Sequence, residues 1–256
     1  MMPFFDARCG IGQFSGQQRR MGPDDLLRVM DRLSISKALV SHALAREASP
    51  VEGNALLMRA VAGRPRLVPC WVLLPSWTGE IPDYEEYVCR AVSSGVRAFA
   101  VYPATFGLPL SHWVRSGGFA PLERMRTPLF VCPNAVAREP WDRGDWEGLR
   151  LLLERHPGLP VIFSEFRMRF HIRILLLFLK EFPNLYFDVS SCWNYRSVEG
   201  LVEAVGVDRF VAGTNLPLTD PGHALGMVLL SDLPDDARER IAFRTLQRLT
   251  EEVVGG

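Results

Sequence analysis

Residues 146–164 read Trp-Glu-Gly-Leu-Arg-Leu-Leu-Leu-Glu-Arg-His-Pro-Gly-Leu-Pro-Val-Ile-Phe-Ser. From Trp146 to Arg155 the apolar side chains recur at helical spacing, Pro157 and Gly158 end the helix, and Val161–Ser164 is a short β-type run. The same unit recurs on both sides. Towards the C-terminus come a helix His171–Phe182 stopped by Pro183, a strand Leu185–Val189, a helix Val198–Val205 followed by Gly206, and a strand Phe210–Gly213. Helices Pro221–Leu229 and Asp235–Val253 close the chain. Towards the N-terminus the strands are Phe4–Asp6, Lys37–His42, Leu67–Leu74, Val96–Tyr102 and Leu129–Cys132, separated by helices Asp24–Leu33, Glu52–Ala62, Tyr84–Ser93 and Pro121–Met125. The strands are mostly continuous Val, Leu, Ile and Phe, as expected when helices cover one face and a barrel interior the other. Eight strand–helix repeats in 256 residues predict an α/β protein, a (β/α)8 TIM barrel forming a single domain over 1–256; an open doubly wound sheet is the alternative.

Composition narrows the function. The 29 basic and 29 acidic residues cancel, and no block of like charge occurs, so neither nucleic acid nor an anionic membrane is the expected partner. The longest apolar run, Ile174 to Leu179, is far short of the ~20 residues of a membrane span. The N-terminus reaches Asp6 before any signal-like stretch, which predicts a cytoplasmic protein. Five scattered cysteines without a C-x-x-C pair predict reduced thiols. Cys9-Gly10-Ile11-Gly12 lacks the third glycine of a dinucleotide fingerprint, and no Walker-type Gly-Lys-Ser/Thr occurs, so no cofactor is expected.

In such a barrel the site is assembled where the strands end. Those ends are unusually polar: Asp6-Ala7-Arg8-Cys9-Gly10, Ser41-His42, Tyr102-Pro103, Cys132-Pro133-Asn134, Ser164-Glu165-Phe166-Arg167, Asp188-Val189-Ser190-Ser191 and Gly213-Thr214-Asn215-Leu216-Pro217. Trp77, Trp113 and Trp193 follow strand ends and are candidates to floor a pocket.

Taken together these motifs resemble the amidohydrolase-related family of metal-dependent hydrolases, in its lactonase-like and decarboxylase-like branch. Phe5–Gly12 is similar to the family's Asp-Ala-His-x-His-x-Gly opening, and Gly95-Val96-Arg97-Ala98-Phe99 to its Gly-Val-Lys-Gly-Ile. Asn54 to Pro75 resembles its Asn, helix, Pro-x-Arg and strand. Asp208 to Pro217 resembles its Asp-Arg-x-x-x-Gly-Ser/Thr-Asp-x-Pro, the most specific of the four. The resemblance implies a TIM barrel and a hydrolase, and it also exposes departures. The first strand's two histidine ligands fall on Arg8 and Gly10, the fifth strand's on Cys132, the sixth strand's on Glu165 or, with a slip of one, Ser164, and the eighth strand's aspartate on Asn215.

A divalent ion needs three or four lone-pair donors to bring bound water to a pKa of about 7. A guanidinium has no lone pair to give, and a carboxamide cannot take the water's proton. No metal is therefore expected, and three readings stand. In the first, Arg8 replaces the metal's charge, paired with Glu165 and Asp6, and the catalytically reduced barrel binds a small ligand, an anion among the options, or a partner. In the second, a metal-independent hydrolase acts on a lactone or ester: Arg8, with Arg167 or Arg169, polarises the carbonyl while Glu165 or Asp188 serves as base. The third is a metal site rearranged around Cys132, Glu165, Asp6 or His42.

The candidate catalytic residues are thus Glu165, Asp188, Asn215 and His42, and the candidate ligand-binding residues Arg8, Asp6, Tyr102, Cys132, Asn134, Arg167 and Arg169. Each also has a plainer role: Cys132 as a buried hydrophobe, His42 as a hydrogen-bonding strand end, Asp188 as a brace for its loop, and the arginines as solvated surface. A homodimer through the outer helices, above all Ile172–Phe182, is a further expectation.

Overall fold

The computed structural model describes residues 2–81, 83–133, 145–164, 171–192 and 194–254. Eight parallel strands follow one another in sequence order: β1 (Phe4–Ile11), β2 (Ile35–His42), β3 (Leu67–Val72), β4 (Ala98–Val101), β5 (Leu129–Val131), β6 (Val161–Phe163), β7 (Leu185–Asp188) and β8 (Phe210–Val211). The last returns to the first. Ala7 N–H donates to Ala212 O at 2.9 Å, Asn215 N–H to Arg8 O at 2.8 Å and Gly10 N–H to Leu216 O at 2.7 Å, so the sheet closes into a (β/α)8 TIM barrel. The open-sheet alternative is thereby excluded.

Two apolar clusters follow from this closure. Phe5, Leu39, Val72, Ala100, Phe130, Ile162 and Val211 fill the cylinder, while a larger cluster lies between strands and helices. Leu246 and Leu249 of the closing helix join the interior cluster, and Phe243 meets Phe5 at 6.2 Å between ring centres. The N-terminal end of the barrel is thus stoppered by apolar side chains, leaving the opposite end for chemistry.

Helix starts follow the expected chemistry. Asp83, Asp145 and Asp220 each accept a main-chain N–H at the head of helices Tyr84–Ser93, Trp146–Arg155 and Pro221–Leu229. The structure also corrects the reading in places. Three short helices, Ala43–Glu47, Pro103–Phe106 and Leu110–Arg115, were not expected, because four to six residues are too few to show a period. The closing helix is divided into Asp235–Glu239, a π-helical turn Arg240–Arg244 and Thr245–Glu251. Strand β1 runs five residues beyond its expected end at Asp6, because polar Arg8 and small Gly10 hide a strand that β2 and β8 hold in place.

One buried polar side chain fastens the layers. Asn54, on helix Pro50–Val61, donates to Val72 O at 2.8 Å, accepts from Val72 N–H at 3.0 Å and bonds the Tyr87 hydroxyl at 2.9 Å. It closes both main-chain groups at the end of β3. Asn54→Ala abandons these buried groups, at about 1–3 kcal/mol for each left unsatisfied. The expected result is a clear drop in melting temperature without loss of helix signal, measured by thermal unfolding followed by circular dichroism.

Candidate functional site at the strand ends

Arg8 is buried, with 8% of its surface exposed, inside the C-terminal mouth of the barrel. Its Nη1 donates to Ser164 Oγ at 2.9 Å, and Ser164 Oγ in turn donates to Asp188 Oδ2 at 2.7 Å. The other Asp188 oxygen accepts Gly213 N–H and Ser190 N–H, each at 3.0 Å. The ends of β1, β6, β7 and β8 are thereby joined through one guanidinium, one hydroxyl and one carboxylate. Gly213 is part of this arrangement. A Cβ there would lie 3.0 Å from both Arg8 N and Arg8 Cβ and 3.2 Å from Asp188 Oδ2.

Asp6 has a different task. Its Oδ1 accepts Arg8 N–H at 3.0 Å and Thr214 N–H at 2.7 Å, and its Oδ2 accepts the Thr214 hydroxyl at 2.5 Å and the Cys9 thiol at 2.8 Å. Complete burial pushes this carboxyl up, and the four donors pull against it. These bonds tie β1 to the segment after β8.

A second buried cation comes from beyond β2. Arg46, 6% exposed on helix Ala43–Glu47, lies over the Tyr102 ring at 4.9 Å from its centre. Burial pushes the Tyr102 phenol well up, with Cys132 adding to the rise and Arg46 and Arg8 opposing it. The Cys132 thiol is also raised by burial, again with Arg8 and Arg46 opposing. Cys132 is therefore no ready nucleophile, in keeping with its reading as a small buried hydrophobe.

His42 ends β2 and caps the following helix, its Nδ1 accepting Leu44 N–H at 3.1 Å. Burial, with Arg20 assisting, lowers its pKa from the ordinary 6.5. Asn215 serves through its backbone, with φ at +56° and its N–H on Arg8 O, just before the cis Leu216–Pro217 bond. Trp113 is wholly buried and stacked on Phe119 in the outer layer, so it floors no pocket, and Trp77 is half exposed. Asn134, Glu165, Arg167, Arg169 and Trp193 lie outside the described residues.

The two first-strand positions that the resemblance pairs with histidines can be tested for a metal. Arg8 is one. The other, Gly10, lies beneath the Phe14 ring: a Cβ at position 10 would stand 2.3 Å from Phe14 Cζ and 2.7 Å from Cε2. Phe14 itself is 2% exposed. An imidazole at position 10 has no room unless that ring leaves. Among the described residues no three His, Cys, Asp or Glu side chains converge. The donors that the described residues place around Arg8 do not fit a divalent ion.

Of the strand-end candidates, the structure brings Arg8, Asp188, Tyr102 and Cys132 towards the same interior, together with Arg46, which the strand ends do not point to, while Phe14, likewise not indicated, covers Gly10. The one signal for Arg46 was a charged residue in an otherwise apolar Ala43–Ala45 start just past a strand end.

Three comparisons bear on this site. A family model described as amidohydrolase matches residues 13–245. A search of curated proteins finds no match. Among solved structures, 2,6-dihydroxybenzoate decarboxylase complexed with 2,6-dihydroxybenzoate is similar at 18% identity and TM-score 0.72, covering 98% of this chain and 99% of that one. The Rhizobium 2,6-dihydroxybenzoate decarboxylase gives 16%, 0.73, and 98% of each chain. A dihydroxybenzoic acid decarboxylase from Polaromonas sp. JS666, with bound manganese and 2-nitroresorcinol, gives 14%, 0.73, 98% and 97%. At these identities the structural likeness speaks for the fold.

Two measurements check the geometry. Gly10→Ala forces Phe14 aside and should destabilise by about 1–3 kcal/mol, and adding Phe14→Ala should relieve the clash, so that the two losses are non-additive in a double-mutant cycle. In an NMR titration His42 should protonate below pH 6.5, its midpoint rising in Arg20→Ala without regaining the ordinary value, because burial remains. A lowered histidine pKa means that the unfolded chain takes the proton first. This contribution to stability is therefore complete above the ordinary pKa and declines as pH falls through it.

Proposed function

The chain belongs to the amidohydrolase family, and from that premise we propose that its barrel mouth has exchanged a metal centre for protein groups and now holds a small anionic ligand. The observation that carries the reading is the buried Arg8 guanidinium on Ser164, which donates in turn to Asp188, beside a Gly10 position covered by Phe14. In this reading Arg8 supplies the positive charge that the resemblance assigns to a metal, and Glu165, next to Ser164 in sequence, pairs with it. Arg46 is a second cation towards the same interior, and Tyr102 offers a phenol kept neutral by burial. Two guanidinium forks suit the paired oxygens of a carboxylate. That the structural neighbours include a decarboxylase holding a dihydroxybenzoate supports a small aromatic acid as the first probe.

The reading excludes the hydroxide mechanism in which a metal ionises water, since Arg8 gives no lone pair and Asn215 offers a backbone contact in place of a base. A second reading keeps catalysis without a metal. It is favoured by the Ser164 hydroxyl, which donates to Asp188 and accepts from Arg8. There Arg8 polarises an ester or lactone carbonyl, and Glu165 or Asp188 draws a proton from water.

Elemental analysis of protein purified without chelator tests the first step. Zinc and manganese far below one ion per chain are expected; near-stoichiometric metal would overturn the proposal. Titration with 2,6-dihydroxybenzoate tests the second: Arg8→Ala and Arg46→Ala should each weaken binding about tenfold or more. Arg8→Ala should also cost about 3–5 kcal/mol of stability by leaving buried partners uncompensated. If the hydrolase reading holds instead, a lactone panel shows turnover in the parent chain that Arg8→Ala abolishes while the fold persists.

A further inference from the structure

Outside the barrel, arginines gather in one place. After β1 the chain makes a loop whose base is fixed by a reciprocal pair of bonds, Gly12 N–H to Met21 O at 2.8 Å and Met21 N–H to Gly12 O at 2.9 Å. Ser15 anchors the loop further, its N–H and hydroxyl both donating to Glu47 Oε2 at 2.9 Å. Arg19 and Arg20 project from this braced loop. Facing them is helix Pro23–Leu33, on which Asp25, Arg28, Val29 and Arg32 fall at i, i+3, i+4 and i+7, one side of the helix, while Leu26 and Met30 are buried on the other. Loop and helix enclose a groove of about 740 Å³, ending at Pro217 beside the barrel mouth.

Charge within the groove is unbalanced. Asp25 is taken by Gly22 N–H and Arg28, and Asp31 by Arg66 at 2.6 Å. Arg19, Arg20 and Arg32 have no ion-pair partner among the described residues. The volume lies within the range of small-molecule sites, and Met21, Val29 and Pro217 add apolar wall. Guanidinium forks from a fixed loop and a helix bind phosphate or carboxylate oxygens in bidentate fashion. We propose that this groove is a second ligand site, taking a small organic polyanion on Arg19, Arg20 and Arg32. The assignment stands apart from the reading of the barrel interior, because it uses none of the same side chains.

Calorimetric titration of the whole chain at low ionic strength with inorganic pyrophosphate, and separately with citrate, tests it. Saturable binding of either anion is expected, weakening as salt screens the arginines. A variant carrying Arg19→Ala, Arg20→Ala and Arg32→Ala should bind at least about tenfold more weakly. Arg59→Ala, at an exposed arginine that does not line the groove, and Arg8→Ala, in the barrel, should leave it unchanged. Tighter pyrophosphate binding assigns the site to phosphates, and tighter citrate binding to carboxylates. Absence of saturable binding for both anions, or binding that survives in the triple variant, overturns the proposal. The exposed positions of the three arginines make the variant's fold easy to preserve, and its melting curve verifies that.

Discussion

Four strand ends at the mouth of this barrel are joined around a positive charge held almost wholly out of water. Arg8 sits within the closed sheet, and its guanidinium reaches across to Ser164, whose hydroxyl passes the contact to Asp188. Asp188 in turn accepts from the main chain after β7 and β8. A buried cation is costly unless its donors are used, and a buried carboxylate unless its lone pairs are filled. One hydroxyl serves both because it can donate and accept at once. The same arrangement dictates Gly213, where any side chain would meet Arg8 and Asp188. Charge, hydrogen bonding and backbone approach are thus one constraint on four strands.

The barrel was legible because its strands are continuous apolar runs spaced by helices, and a parallel sheet needs both faces covered. Their ends were less so. β1 extends to Ile11 because Cys9, Gly10 and Ile11 pair with Val40, Ser41 and His42, a fact of partnership that local residue types do not carry. Candidate residues on strands, such as Arg8 and Asp188, are reached by counting to the end of a run. Arg46 and Phe14 are not, because the helix after β2 and the loop after β1 bring them back over the mouth. Asn215, read as a failed catalytic carboxylate, shows its use only in three dimensions: a left-handed residue whose N–H helps to seal β8 against β1.

Gly10 and Phe14 show how differently fold and strand-end geometry depend on single residues. The fold rests on many apolar contacts between strands and helices, and no single one of them decides it. The site rests on a few positions. An aromatic ring lying where a side chain at position 10 would start needs glycine there, and glycine there leaves a hole without the ring. Each residue favours the other. The neighbours' chains are covered to 97–99% at 14–18% identity, as expected when the fold rests on many apolar contacts rather than on particular residues.

Zero net charge conceals a strongly uneven distribution. All but two of the basic residues are arginine, Lys37 and Lys180 being the exceptions. Many of these arginines sit in exposed ion pairs, such as Arg150 with Glu181 and Arg240 with Asp208. Pairs of that kind contribute at most about 1 kcal/mol each and screen readily in salt. They balance the total without directing anything. Arg8 and Arg46 in the interior act over short distances in a medium that screens them poorly, and each shifts the proton affinity of Tyr102 and Cys132. Where a charge is placed therefore matters more here than how many charges there are, and the overall neutrality of the chain is no argument against an anionic ligand.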